Sequence, residues 1–203
     1  FDNVSGYEQD AASLGCNVGR CANRIGGASF ILNGHTYTLD QNDGENCLHS
    51  GFHQYSKRIW TVTRYTDISV TFSLESPDMD QGFPGALTMT VTYELKDNQL
   101  IISYSGTPNK DTVINMTNHS YFNLNGGGNI LGHMAMINAS RFTPSDAQSI
   151  PTGAFAEVAD TPMDFREPKA IGQDIESKYD QLIQGLGYDH NYVIDNYDGS
   201  TRY

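Results

Sequence analysis

Long apolar runs are missing from this chain, helix-period patterning is scarce, and cations are few: 12 Lys plus Arg stand against 24 Asp plus Glu, a formal net charge of −12. Without an apolar stretch near the ~20 residues of a membrane span, no transmembrane helix is expected. The acidic balance repels phosphate backbones and anionic lipid surfaces, which argues against nucleic-acid and membrane partners. It is compatible with a protein acting on neutral polyols, and equally with plain solubility. The three cysteines, Cys16, Cys21 and Cys47, are an odd number without zinc-type spacing. Neither a disulfide framework nor a metal site is therefore expected, and free thiols in a reducing cytosol fit them. No signal peptide is read at Phe1, a start that is not Met and reads as the interior of something longer. Asn-x-Ser/Thr triplets begin at Asn3, Asn115, Asn118 and Asn138. A glycan on Asn118 would crowd His119, so if that histidine works, a cytoplasmic location is expected rather than a glycosylating compartment.

What is abundant is glycine, 20 residues, and Tyr plus Phe, 21, in a chain only 18% charged. That is the profile of a compact β protein with many turns, and 203 residues are ample for the core of one domain spanning 1–203. Strand-like alternation begins at Ser29–Leu32, breaks at Asn33-Gly34, a strong hairpin signal, and resumes over His35–Leu39. Further strands are predicted at Ile59–Tyr65, Ser69–Ser76, Ala86–Lys96, Gln99–Thr107 and Tyr192–Ile194. Thr88, Thr90 and Thr92 alternate with Met89, Val91 and Tyr93, as a sheet with one face toward the core requires. Asp97-Asn98 reads as a tight turn. Between Ala139 and Asp164, Thr143-Pro144 and Ile150–Gly153 predict loop and edge structure. One short surface helix is predicted over Ile171–Gln184 from Ile171, Ile175, Tyr179 and Leu182.

Polar residues cluster at five places: Gly19–Ile25, Asn46–Gly51, Asp80–Gly85, Asn118–Leu124 and Gly187–Asn191. Asn, His, Ser and Tyr are poor core fillers, because an unpaired buried polar group costs about 1–3 kcal/mol. They are good at holding a sugar. Each cluster also has an ordinary reading: Gly82 to Gly85 is a turn around an aromatic plug, Arg24 a surface cation, and Asp189 or His190 a loop residue. Taken alone, His119 is as well explained as a core histidine satisfied by backbone.

Taken in order, the clusters resemble the aldose 1-epimerase (galactose mutarotase) family. The matching text is Asn23-Arg-Ile25, Leu48-His-x-Gly51, Gln81-Gly-Phe-Pro-Gly85, Asn118-His-Ser-Tyr-Phe-Asn-Leu124, Ile150-Pro-Thr-Gly153 and Gly187-Tyr-Asp-His-Asn191. The resemblance implies an all-β fold, a large antiparallel β-sandwich (supersandwich) with the sugar in an open cleft, here incomplete at both ends. It implies interconversion of the α and β anomers of a free aldose such as galactose or glucose, without cofactor or metal. A base takes the C1 hydroxyl proton while an acid protonates the ring oxygen; general acid–base help is worth about 10²–10⁴-fold when the pKa lies near working pH, as an imidazole's ordinarily does. Carried over by motif, His119 is the acid, His49 hydrogen-bonds the same region, and Asn23 with Arg24 anchors sugar hydroxyls. Asp189 accepts from hydroxyls farther round the ring, and Ser120 and Tyr121 line the pocket.

The departures from the family pattern are specific. The family's base, a glutamate beyond the Gly-Tyr-Asp-His motif, has no counterpart up to Tyr203, so these residues alone are expected to be inactive. Glu75 and Glu94 lie in alternating strands and read as solvent-facing. Ser50 stands where the family usually has glycine. Three alternatives stay open at this point. A non-catalytic sugar-binding protein is one. A hexose-6-phosphate epimerase is a second, although it needs a cation cluster that Arg20 and Arg24 alone barely supply. A glycosidase is the third, and it needs two flanking carboxylates where only Asp189 is placed.

Overall fold

A computed structural model describes residues 3–10 and 12–199, which fall into two compact units, Phe1–Tyr121 and Phe122–Tyr203. Phe1 and the predicted fragment end from 200 to 203 lie outside the described residues.

The first unit opens with a helix that the pattern did not announce, α1 (Val4–Glu8), whose N-cap Asn3 accepts from the Gly6 N–H. Ten strands follow in chain order: β1 (Asn17–Val18), β2 (Arg24–Ile25), β3 (Ser29–Leu32), β4 (His35–Thr38), β5 (Cys47–Leu48), β6 (Thr61–Tyr65), β7 (Ser69–Ser76), β8 (Leu87–Lys96), β9 (Gln99–Pro108) and β10 (Thr117–Asn118). The largest sheet runs β6-β7-β8-β9, antiparallel throughout. Alternation sets its faces: Leu87, Met89 and Val91 are buried while Thr88, Thr90 and Thr92 lie on the opposite, half-buried face. The predicted boundaries hold to within one or two residues. At the start of β6, Ile59 and Trp60 fall outside the strand, and a register shift interrupts the pairing between Val62 and Arg64. The β3–β4 hairpin turns on Asn33 (φ +52°) and Gly34 (φ +78°), the two positive φ values that a two-residue loop between twisted strands requires.

Two buried clusters anchor this unit. One gathers Cys21, Ala28, Leu39, Cys47 and Phe83; the other gathers Tyr55, Leu74, Leu87 and Met89 with Trp60 and Met116 against it. Phe83 is fully buried, so the predicted aromatic plug is where the Asp80–Gly85 turn enters the core.

The second unit contains β11 (Met134–Ala135), β12 (Arg141–Thr143), β13 (Ala156–Glu157), β14 (Lys169–Ala170), α2 (Asp180–Gln184) and β15 (Asn191–Val193). Two predictions fail here. Arg141–Thr143, expected to be loop or edge, is the central strand of the β13-β12-β15 sheet, because Phe142 is fully buried with Val158, Met163 and Leu182. The helix predicted over Ile171–Gln184 is a single 3-10 turn at Ile171–Gln173 followed, after a break, by the five residues of α2. The N–H groups of Ser177 and Tyr179 donate to the carbonyls of Asp174 and Ser177, at 2.9 and 2.8 Å, three and two residues back instead of four, so tight turns interrupt the helical ladder. Ile59, Leu124 and Leu186 are left largely exposed.

Gly82 tests the plug. Its φ is +91°, and a Cβ there would lie 2.2 Å from the Thr38 carbonyl oxygen, a backbone atom with little room to move. We expect Gly82→Ala to lower unfolding free energy by at least about 2 kcal/mol, read as the midpoint shift in urea denaturation.

Candidate active site

The His119 segment is fixed by main-chain bonds before any side chain is considered. β10 pairs antiparallel with β1, Asn118 facing Asn17, and the pairing continues past the strand ends. The His119 N–H donates to the Cys16 carbonyl at 2.9 Å, and the Gly15 N–H donates to the His119 carbonyl at 3.1 Å. Asn118 Oδ1 accepts from the Ser120 N–H at 2.9 Å, closing an Asx turn around the histidine.

His49 arrives from the loop after β5. Its N–H donates to the Asn23 carbonyl, and the Asn23 N–H donates back to His49 Nδ1, both at 3.0 Å. Both residues have positive φ, as does Ser50. The loop is held by two side chains whose part the motifs do not announce. The buried Ser50 hydroxyl accepts from the Cys21 N–H at 2.7 Å and donates to the Cys21 carbonyl at 3.0 Å. The departure from glycine thus supplies a hook between the two motif segments. Asn42 donates to the carbonyls of Leu48 and Gly51 and accepts from the Leu48 N–H. No sequence signal marks Asn42; the Ser50 substitution was the one legible clue.

Beneath them, Arg20 is 1% exposed. Its guanidinium donates to the Tyr55 hydroxyl, the Pro84 and Gly85 carbonyls, Thr112 Oγ1, Ser76 Oγ and the Pro77 carbonyl. Arg24 keeps a partner too, Nε donating to Asp43 Oδ2 at 2.6 Å. Its terminal nitrogens make no hydrogen bond among the described residues, so they remain available to a ligand oxygen.

The two imidazoles meet edge to face, ring centroids 5.5 Å apart at 85°, and the exposed Tyr121 ring lies 5.3 Å from that of His119. Burial, then the neighbouring His119 and Arg24, pushes the His49 pKa down to about 4, with Asp43 opposing. His49 is therefore neutral at physiological pH. Because its Nδ1 accepts from the Asn23 N–H, its proton sits on Nε2, a fixed donor.

The structure thus brings Asn23, Arg24, His49, His119, Ser120 and Tyr121 together in the first unit. Asp189 belongs to the second unit, where it precedes β15 with an exposed side chain. Beside it His190, not singled out as a working residue, takes a structural place: Nε2 lies 3.1 Å from Gln181 Oε1 and the ring stands edge-on to Phe142. Glu75 is exposed and accepts from Thr88 Oγ1, in keeping with a solvent-facing charge. The three cysteines are free thiols, and burial pushes Cys47 up to about 11. Among the described residues no group of three or more His, Cys, Asp or Glu is arranged to hold a metal ion, and no helix is long and apolar enough to cross a membrane.

The His49 environment has a pH signature. Its folded pKa lies below the ordinary 6.5, so between about pH 6.5 and 4 the unfolded chain binds more protons and stability falls as pH falls. Imidazole NMR is expected to show His49 unprotonated, with its proton on Nε2, at every pH above about 5; titration near 6.5 would contradict the buried geometry.

Comparison with known proteins places these residues in a family. The model of the aldose 1-epimerase family matches residues 1–202. The chain is 40% identical over 196 residues to a galactose mutarotase of Bos taurus, covering 96% of this chain and 56% of that protein. It is 40% identical over 190 residues to an aldose 1-epimerase of Escherichia coli K12, covering 93% and 55% respectively. The chain therefore spans about half the length of the curated relatives it matches. Among solved structures, an aldose epimerase homologue from C. elegans superposes with a TM-score of 0.85 at 36% identity, over 98% of this chain and 61% of that one. A galactose 1-epimerase from Lactobacillus acidophilus superposes with a TM-score of 0.88 at 29% identity, over 97% and 60%. The all-β, antiparallel sandwich fold expected from the sequence is the one these structures share. From its motifs, its fold and the match along its length, the chain belongs to the aldose 1-epimerase family.

Proposed function

We propose that the protein carrying this chain interconverts the α and β anomers of a free aldohexose, galactose or glucose, and that residues 1–203 belong to one aldose 1-epimerase-like domain of it. The observation that carries this reading is the His49–His119 pair, two imidazoles edge to face with one of them locked as a neutral Nε2–H donor. His119 gives a proton to the ring oxygen as the C1–O bond breaks, and His49 donates its Nε2–H to the same oxygen, sharing the charge that develops. A base takes the C1 hydroxyl proton; rotation of the aldehyde and reclosure on the other face complete the turnover. Asn23 and Arg24 hold ring hydroxyls, and Ser120 and Tyr121 line the approach. No residue of this chain is assigned the base, so the 203-residue chain alone binds sugar without turning it over. No step calls for a metal or cofactor. The free thiols support a cytoplasmic location.

A sugar-phosphate epimerase is the weaker reading for a specific reason. Arg20 is buried with its donors committed to protein oxygens, which leaves Arg24, itself paired through Nε with Asp43, as a single cation where a dianion needs a cluster.

Polarimetry on freshly dissolved α-D-galactose tests the proposal, comparing the complete reading frame, its His119→Ala variant and buffer. We expect the complete protein to accelerate mutarotation and the variant to lose about 10²–10⁴-fold. Full activity in the variant would remove His119 as the acid. No acceleration by the complete protein, with galactose still bound, would move the reading to a sugar-binding protein.

A further inference from the structure

The hydroxyl of Tyr93 sits at a junction for which none of the assigned roles accounts. Tyr93 lies on β8 with its ring edge-on to Phe72, and its hydroxyl donates to Asn17 Oδ1 at 2.9 Å while accepting from Asn118 Nδ2 at 3.1 Å. Asn17 and Asn118 are the facing residues of the β1–β10 pair. A second hydroxyl, Tyr104 on β9, donates to the same Asn17 oxygen at 3.2 Å. One phenol oxygen of the large sheet thus joins two side chains across the strand pair that carries His119. The Asn118 amide has a use for each end: Nδ2 donates to the Tyr93 hydroxyl at 3.1 Å and, at a longer 3.5 Å, to the Gly15 carbonyl, and Oδ1 accepts from the N–H of Ser120, the residue after the histidine. The amide therefore brackets His119 in sequence, and its orientation is set by the bonds it makes. Linked, satisfied polar groups of this kind stiffen one another and select one geometry. Burial, and then the neighbouring Tyr93, pushes the Tyr104 pKa up to about 12, so that hydroxyl keeps its proton and remains a donor to Asn17.

We propose that Tyr93 is a positioning residue for His119: through Asn118 its hydroxyl holds the Asx turn that aims the imidazole at the sugar. The effect on sugar rests on the epimerase-family reading of the site, whereas the effect on the imidazole does not. Tyr104 steadies Asn17 but has no bond to Asn118, so its part is smaller.

The test is histidine-ring NMR on the complete protein with ¹³C-labelled imidazoles, using the exposed His35 of the β3–β4 hairpin as internal reference. Tyr93→Phe removes one oxygen and keeps the ring. It is expected to displace and broaden the His119 Cε1–H resonance, leave His35 in place, and weaken α-D-galactose binding about fivefold, the loss of one ordinary hydrogen bond. Tyr104→Phe is expected to move His119 less. Asn118→Ala breaks the same tie together with the Ser120 bond, so it should displace His119 at least as far, and adding Tyr93→Phe to it should change nothing further. A His119 resonance unchanged in Tyr93→Phe, or displacements that simply add in the double variant, would overturn the proposal. If the parent chain does not respond to galactose while Tyr93→Phe still displaces His119, the sugar reading fails and the positioning role stands.

Discussion

The Arg20 guanidinium is the constraint on which the first unit depends. A charge buried this deeply is tolerable only if its donors are met, and removing part of such an arrangement costs several kcal/mol because the remaining groups are left unpaired. Five N–H groups are distributed over a strand end (Ser76 and Pro77), a turn (Pro84 and Gly85), a core tyrosine (Tyr55) and a loop threonine (Thr112). Those acceptors lie up to 92 residues away in sequence, so one side chain sets the relative position of segments that local propensity cannot relate. A second cation closes the network from outside: Arg58 forks onto Asp80 at 2.6 and 2.9 Å, stands over the Tyr55 ring, and Asp80 in turn accepts from Ser76. Lysine could not replace Arg20, since a single ammonium cannot reach acceptors spread over a planar fork.

From Arg20 the order passes to the site through three consecutive residues. Cys21 is hooked to Ser50, Ala22 donates to the Asn115 carbonyl, and Asn23 exchanges main-chain and ring bonds with His49. Ala22 and Asn23 thus tie both histidine segments to the same short stretch. The chemistry follows from this arrangement. A histidine that must donate without itself becoming charged needs a fixed tautomer and a depressed pKa, and burial together with the Asn23 N–H provides both.

Much of this was legible in the residues. The alternation in Thr88–Tyr93, the Asn33-Gly34 turn and the Phe83 plug are local signals with local outcomes, and the structure realises them. Of the seven candidate side chains to which the motifs point, six lie in the first unit and Asp189 lies in the second. What escaped was set mostly by tertiary pairing. The stretch after Lys169 has a helical period, yet tight turns closed by the Ser177 and Tyr179 N–H groups on the Asp174 and Ser177 carbonyls break it in the middle. Arg141–Thr143 is short and flanked by proline, yet Phe142 makes it a central strand. Arg20, in sequence one of two weakly clustered cations, is internal scaffold, and nothing in its local sequence reveals acceptors contributed from 35 to 92 residues away. Ser50 was noticed as a departure, but its bond to Cys21 becomes visible only once the two loops are adjacent.

The role proposed for the His49–His119 pair, held through Arg20 at the reacting end of a sugar, can be read from the position of a bound ligand. The most direct measurement is a crystal structure of the complete protein with D-galactose bound. The ring oxygen is expected at hydrogen-bond distance, about 3 Å, from His119 and from His49 Nε2. Galactose bound away from both imidazoles, or with its ring oxygen turned from them, would contradict it.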